Sequence, residues 1–250
     1  MGRLVIVPTP VGNLSDITLR ALDVLKSADY IFAEDTRTSG NLLRHYSIST
    51  PLKAFHQHNE HKVLAGAVKT IANSSVVALV SDAGTPGISD PGFLLIRACI
   101  EQGIEVECLP GPTALIPALV RSGFPTDRFC FEGFLPHKKG RLTRMQAIAE
   151  DERTIVYYES PHRLVKTLEQ LSKIIGGGRP AAVIREISKV HEECIRSTLD
   201  ELAKHYTSRP PRGEIVLVLA GKGFSDTNKE EPEELSDSDV IFGREKRKRE

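Results

Sequence analysis

An apolar run, Val76-Val77-Ala78-Leu79-Val80, ends in the loop Ser81-Asp82-Ala83-Gly84-Thr85-Pro86-Gly87-Ile88-Ser89-Asp90-Pro91-Gly92, and an apolar-periodic stretch, Phe93 to Ile100, follows. Strand, Gly/Pro-rich loop and helix is the order these residues prescribe. Three glycines and two prolines in twelve residues let the backbone come close to a ligand and hold the loop rigid. In an open α/β sheet, ligands bind at the loops that follow the carboxyl ends of strands. An ordinary strand-to-helix turn is the alternative for any one such loop, but this one has two companions. Pro8-Thr9-Pro10-Val11-Gly12-Asn13 follows the strand Leu4–Val7, and Pro110-Gly111-Pro112-Thr113-Ala114 follows the strand Glu105–Leu109. Three rigid loops, each behind a strand, point to an α/β fold with a shared site along one sheet edge.

The chain of 250 residues suffices for one large or two modest α/β domains. Its formal net charge of zero gives no whole-protein field toward nucleic acid, so local basic clusters must carry any such contact. Cys99, Cys108, Cys130 and Cys194 show neither a C-x-x-C pair nor zinc spacing, as expected of reduced thiols in a cytoplasmic protein. The apolar run before Pro8 is too short for a signal peptide or a membrane helix.

In chain order, Ser15 and Asp16 are candidate caps for a helix carrying Leu19, Leu22 and Leu25. The strand Tyr30–Ala33 runs into Glu34-Asp35-Thr36-Arg37-Thr38-Ser39-Gly40. Such a polar group belongs either to a site or to a solvated helix start. Three histidines in Phe55–His61 lack the cysteines or the H-E-x-x-H pattern of strong metal sites. They read as a polar loop opening the helix Glu60–Ala72, and no metal is expected. Ser122 to Asp127 is rich in turn formers. The expected organisation is an N-terminal α/β domain over 1–122, a hinge at 123–127 and a C-terminal α/β domain over 128–222. A disordered charged tail over 223–250 completes it.

The second half opens with the strand Arg128–Gly133 and then the basic stretch Pro136–Arg144. The latter is either a solvated helix start or a set of phosphate contacts. The strand Thr154–Tyr158 delivers Glu159-Ser160-Pro161-His162-Arg163 to another helix. Ser160 suits the cap there and Pro161 the first turn, which makes Glu159 and His162 candidate site groups. Arg185 and Glu186 end the strand Ala182–Ile187. They either pair with each other or line a cleft. A half-exposed strand within Val190–Leu199, a helix Leu199–His205 and a last strand Ile215–Ala220 follow.

Five motifs stand in order: Val7-Pro8-Thr9-Pro10-Val11-Gly12-Asn13-Leu14, Glu34-Asp35-Thr36-Arg37, the Ser81–Gly92 loop, Leu109-Pro110-Gly111-Pro112-Thr113-Ala114 and Tyr157-Tyr158-Glu159-Ser160-Pro161-His162-Arg163. Together they resemble the ribosomal-RNA-methylating branch of the tetrapyrrole methylase superfamily, over about residues 3–222. The resemblance implies two α/β domains with an S-adenosylmethionine cleft between them, and a homodimer. It also implies 2′-O-methylation of a cytidine ribose in small-subunit ribosomal RNA, either naked or in the assembled subunit. At the matching positions Pro10 and Val11 border the cofactor. Gly84, Thr85 and Ile88 fall in a segment that reads Gly-Asp-Pro in related methylases, with Thr85 where many carry an acid. Thr113 and Ala114 match a cofactor-contacting turn, and Tyr158, Glu159, Ile187, Gly213 and Glu214 match the closing second domain. Longer members carry a C-terminal extension that this chain lacks or replaces.

Methyl transfer from a sulfonium is an in-line displacement that needs its reactants held in a row. The cofactor is already activated, so the protein supplies position and electrostatics. A ribose hydroxyl, a weak acid, gains from a base or a stabilising cation. The candidate bases are Asp35, Glu159 and His162. Arg37 and Arg163 are candidate stabilisers or phosphate ligands. An ordinary carboxylate, with a pKa of about 4, is far from matching that hydroxyl, so the proton is expected to leave during or after transfer. Two other functions compete: a small-molecule tetrapyrrole methylase, and a non-catalytic RNA-binding assembly factor on the same scaffold. The 6% of aromatic residues are not spaced as stacking platforms, and no G-x-G-x-x-G opens the first helix.

Overall fold

The computed structural model describes residues 2–57 and 59–225. The tail expected over 223–250 therefore lies almost wholly outside the described residues. The first half forms a five-stranded parallel sheet from β1 (Arg3–Ile6), β2 (Tyr30–Ala33), β3 (Leu52–Ala54), β4 (Val76–Val80) and β5 (Glu105–Cys108), in the order β3-β2-β4-β1-β5. Its central strands are apolar without interruption because both faces are covered. Successive side chains alternate between those faces. Leu4, Ile6, Val77 and Leu79 pack with α3 (Glu60–Ala72) and α4 (Phe93–Glu101) through Val68, Ile71, Leu95 and Cys99. Val5, Val7, Ala78 and Val80 pack with α1 (Leu19–Ser27) and α2 (Thr36–His45) through Leu25 and Leu43.

The second sheet is mixed, with β6 (Phe129–Phe134), β7 (Thr154–Glu159), β8 (Pro180–Arg185), β9 (Glu193–Thr198) and β10 (Ile215–Leu219) in the order β6-β7-β10-β8-β9. Only β6 and β7 run parallel; the other pairs are antiparallel. Helices α6 (Arg141–Ala147), α7 (Leu164–Ile175) and α8 (Leu199–Ser208) cover one face, with Met145, Leu168 and Leu202 in the core. On the opposite face lies α5 (Leu115–Ser122), whose Ala118 and Leu119 pack on Val156, Ala182, Ile184, Val216 and Val218. This helix precedes the expected hinge in the chain, yet its buried face belongs to the second sheet.

Three local expectations are corrected. Thr18, not Ser15 or Asp16, caps α1, its hydroxyl accepting the Ala21 N–H at 3.1 Å. Ser15 and Asp16 sit in a 3-10 turn capped by Asn13, and extended backbone at Ile17 separates that turn from the helix. Helix α7 starts at Leu164 with no side-chain cap, rather than at Ser160. The Ser160 carbonyl accepts the N–H groups of both Arg163 and Leu164, so Ser160 and Pro161 form a turn of their own. Finally, Arg185 and Glu186 do not pair with each other. Arg185 bonds Glu193 and Glu186 bonds Lys189, each at 2.9 Å.

Candidate functional site

The carboxyl ends of β1, β2, β4 and β5 all point to one edge of the first sheet, where a parallel α/β fold binds its ligands. The loops there are tied to each other. Thr9 and Gly84 exchange two backbone hydrogen bonds of 2.9 Å, and the Thr9 hydroxyl donates to the Ser81 carbonyl at 3.0 Å. Gly84 holds a left-handed backbone, φ +82°, where a side chain would be strained although a Cβ would meet only Val11 Cγ1 at 3.7 Å. Opposite these loops stand the ends of β7, β8 and β10. Between the two sets lies a cleft of about 470 Å³.

The second half closes its side of the cleft with an ion-pair knot. Glu186 Oε1 accepts the Glu214 N–H and the Lys189 ammonium, each at 2.9 Å, and Lys189 also donates to Glu214 Oε2 at 2.9 Å. Gly213 makes the knot possible. Its φ is +81°, and a Cβ there would stand 2.2 Å from Glu186 Cδ. Ser89, Glu186 and Ser188 hold positive φ without being glycines, and such stored strain collects at functional sites.

Of the eleven expected cofactor positions, ten line this cleft: Val11, Gly84, Thr85, Ile88, Thr113 and Ala114 from the first half and its junction, and Tyr158, Ile187, Gly213 and Glu214 from the second. Pro10 instead lines an adjoining recess with Thr9, Ser39 and Asp82.

The four catalytic candidates are less united. Asp35 caps α2 and is clamped by Arg37, which donates its backbone N–H at 2.8 Å, Nε at 3.1 Å and Nη2 at 2.7 Å. These bonds hold the Asp35 carboxyl down at about 2, well short of a general base. Neither Asp35 nor Arg37 lines the cleft. Glu159 does, but its buried carboxylate is fully engaged. Oε1 accepts from Ser160 N–H at 2.8 Å and Arg163 Nε at 2.9 Å, and Oε2 accepts from the Thr167 hydroxyl at 2.5 Å. Arg141 donates to that same Thr167 hydroxyl at 2.6 Å. His162 is exposed and off the cleft lining.

Three further acids line the cleft: Glu34, Asp82 and Asp90. Neither Asp82 nor Asp90 forms an ion pair among the described residues. Burial pushes the Asp90 carboxyl up to about 7, reinforced by the negative charges of Glu34, Asp82 and Glu214 and opposed by a Ser81 hydrogen bond. Burial also raises Glu34, with Asp82 adding to it, and raises Asp82, where the Asp35 amide opposes the shift. All three acids stand in loops that the sequence marks as motifs. Their approach to one another depends on folding, which brings Glu34 to the Ser81–Gly92 loop that carries Asp82 and Asp90, and it is not visible in the sequence. A cleft of this kind attracts a cation and holds one carboxylate ready to take a proton near neutral pH.

Two α/β halves enclosing one acidic, loop-lined cleft define an enzyme of the two-sheet methylase class. The family profile of Tetrapyrrole (Corrin/Porphyrin) Methylases matches residues 3–203. The chain is 48% identical over 238 residues to Ribosomal RNA small subunit methyltransferase I of Synechocystis sp., covering 95% of this chain and 85% of that one. It is 46% identical over 222 residues to the protein of the same name from Thermotoga maritima, covering 89% and 100%. Among solved structures, uroporphyrin-III C-methyl transferase from Thermus thermophilus, complexed with S-adenyl homocysteine, superposes with a TM-score of 0.60 at 21% identity, covering 88% of this chain and 97% of that one. The chain belongs to the tetrapyrrole methylase family, in the branch of the ribosomal RNA small subunit methyltransferases I.

Proposed function

We propose that the protein, a cytoplasmic homodimer, transfers the methyl group of S-adenosylmethionine to the ribose 2′-hydroxyl of a cytidine in small-subunit ribosomal RNA, either naked or in the assembled subunit. The observation that carries the reading is the cleft, where loops from both sheets surround about 470 Å³ with two carboxylates, Asp82 and Asp90, that form no ion pair among the described residues. The volume falls within the roughly 300–1,000 Å³ of small-molecule sites. S-adenosylmethionine, a sulfonium that also bears an ammonium group, has the charge such carboxylates select. When bound it supplies an already activated methyl group.

The chain's own residues do the rest. The Thr9–Gly84 bridge and the Glu186–Lys189–Glu214 knot fix the two walls, which is the positioning an in-line displacement needs. Asp90, half-buried in the cleft, accepts the proton that the acceptor hydroxyl loses, a role suited to a base poised near the working pH. Arg37 and the exposed Lys138 and Lys139 offer cations to phosphates. The cytoplasmic setting is supported by four free cysteines. Among the described residues no helix is long and apolar enough to cross a membrane. The dimer is supported by exposed Ile116 and Val120, one turn apart on α5, and light scattering tests it.

The test of function is tritiated methyl transfer to isolated small subunits that lack the modification, with naked ribosomal RNA and a tetrapyrrole as parallel acceptors. Nuclease digestion then locates the label. Label on a cytidine ribose supports the reading. Label on the tetrapyrrole alone moves it to the small-molecule methylases, and absence of cofactor binding leaves a binding protein.

A further inference from the structure

Beside the cleft, and sharing Asp82 with it, lies the recess of about 260 Å³ that Pro10 lines. Pro10, Leu14 and Leu42 give it an apolar lining, and Ser39, Asn41 and Asp82 give it polar groups of complementary kinds. Asn41 Oδ1 accepts from Arg44 Nη1 at 3.0 Å, which leaves the amide nitrogen of Asn41 to present donors. Ser39 is 3% exposed, and its hydroxyl has no hydrogen-bond partner among the described residues. A buried hydroxyl in that state is left without the hydrogen bond it gave up in water, and a ligand acceptor relieves it. Asp82 Oδ1 takes the Asp35 N–H at 3.1 Å, and the carboxylate keeps further acceptor capacity.

We infer that this recess receives the base of the acceptor nucleotide, a cytosine-type pyrimidine, while its ribose reaches past Asp82 into the cleft. The inference rests on the methyl-transfer reading above and names the substrate subsite. Three features of the recess argue for it. Its size suits one flat ring between aliphatic side chains, with Leu14, 41% exposed, at the lip. Its polar groups match one base edge: the N4 amino group of cytosine donates to a carboxylate, and N3 and O2 accept from amide or hydroxyl donors. Uracil, with an acceptor at O4 and a donor at N3, meets Asp82 with the wrong sign. Finally, Arg37, next in the chain to Thr38 on the recess wall and 89% exposed, stands at the surface where a phosphate would lie.

The test uses the full chain and two acceptors: small subunits lacking the modification, and the same subunits carrying uridine at the target position. The ratio of kcat/KM for the cytidine substrate to that for the uridine substrate is measured for wild type and Asp82→Asn. Asparagine can donate to uracil O4, so the ratio is expected to fall at least tenfold, while the affinity for S-adenosylhomocysteine by calorimetry changes less. An unchanged ratio in folded D82N overturns the inference. Should D82N fail to fold, as read from its circular dichroism, Asn41→Ala decides. A KM for the subunit about tenfold higher at unchanged S-adenosylhomocysteine affinity upholds the recess, and an unchanged KM overturns it. A wild-type protein that labels no RNA overturns the functional reading and the subsite together, whereas wild-type labelling with an unaltered D82N ratio overturns the subsite alone.

Discussion

Glu159 separates a structural role from a chemical one, and replacing it with glutamine reads out the difference. Its side chain is 1% exposed, against 7% for Arg141 and 19% for Arg163. Arg163 Nη2 stands 2.7 Å from Oε1 and Arg141 Nη2 stands 3.9 Å from Oε2, with Thr167 bridging the two sides. Glutamine keeps the shape and one acceptor but leaves two enclosed guanidiniums with no anion between them. Breaking a buried pair by removing one partner costs about 3–5 kcal/mol. Retained hydrogen bonds to the amide oxygen put E159Q at the lower end, about 3 kcal/mol. At roughly 2–4 °C per kcal/mol for a chain of this size, the melting temperature falls by about 10 °C. The assay pairs a circular-dichroism melt with methyl transfer measured well below both melting temperatures. The expected result is a destabilised protein whose kcat per folded molecule stays within about threefold of wild type, since an engaged carboxylate takes no proton. A variant that melts like wild type yet loses a hundredfold or more in kcat would refute the reasoning and restore Glu159 as a chemical group.

Asp90 governs the pH dependence. With its carboxyl pushed up to about 7, the wild-type kcat/KM should fall tenfold per pH unit below that value, and Asp90→Asn should abolish this limb and lower kcat by about 10²–10⁴. The sign of the stability effect follows from the raised value: the folded state is favoured while Asp90 is protonated and loses that advantage as pH rises from the unfolded carboxyl range through about 7. Asp90→Asn should therefore raise the melting temperature at pH 8 and leave it unchanged at pH 4. Gly213→Ala brings a Cβ within 2.2 Å of Glu186, so calorimetry should show S-adenosylhomocysteine binding weakened by at least tenfold; unchanged affinity would detach the knot from the cofactor. Arg37→Ala should leave that affinity unchanged while raising KM for the subunit and lowering the salt slope of RNA binding by about one.

Much of the scaffold was legible because its determinants are local. A buried parallel strand needs an unbroken apolar run, and Val76–Val80 and Leu4–Val7 supply one. Loops that must bend sharply at the strand ends need the glycines and prolines found at Pro8–Gly12 and Ser81–Gly92. Helix α5 shows the limit: its apolar stripe announces a buried face without saying which sheet it meets, and the second sheet supplies Val156, Ile184 and Val216. The candidate acids illustrate the same limit more sharply. Asp35 and Glu159 stand in motifs, yet Arg37 two residues on closes over the first, and Arg141 and Thr167 reach the second from other elements. Asp90 gains its character first from burial and then from Glu34 and Asp82, and folding alone buries it and brings Glu34 to its loop.

That gathering of carboxylates also bears on the zero net charge of the chain. Charge is not evenly mixed where ligands are expected. Glu34, Asp82, Asp90 and Glu214 line the cleft, whereas Arg37, Lys138 and Lys139 are exposed on segments that adjoin it, the two lysines just beyond Phe134 at the end of β6. A cation entering the cleft meets negative charge in a partly desolvated setting, where the attraction is strong. A polyanion approaching from outside meets cations first, in solvent, where the attraction is weaker and screened by salt within about 10 Å. On the proposed reading the two ligands are sorted by depth: the acids would repel phosphate from the cofactor's place, and the exposed cations would hold it outside while the acceptor sugar reaches inward. On this account added salt weakens RNA affinity steeply and cofactor affinity little, and equal salt slopes for the two, measured by titration, would show that the charges are not divided in this way.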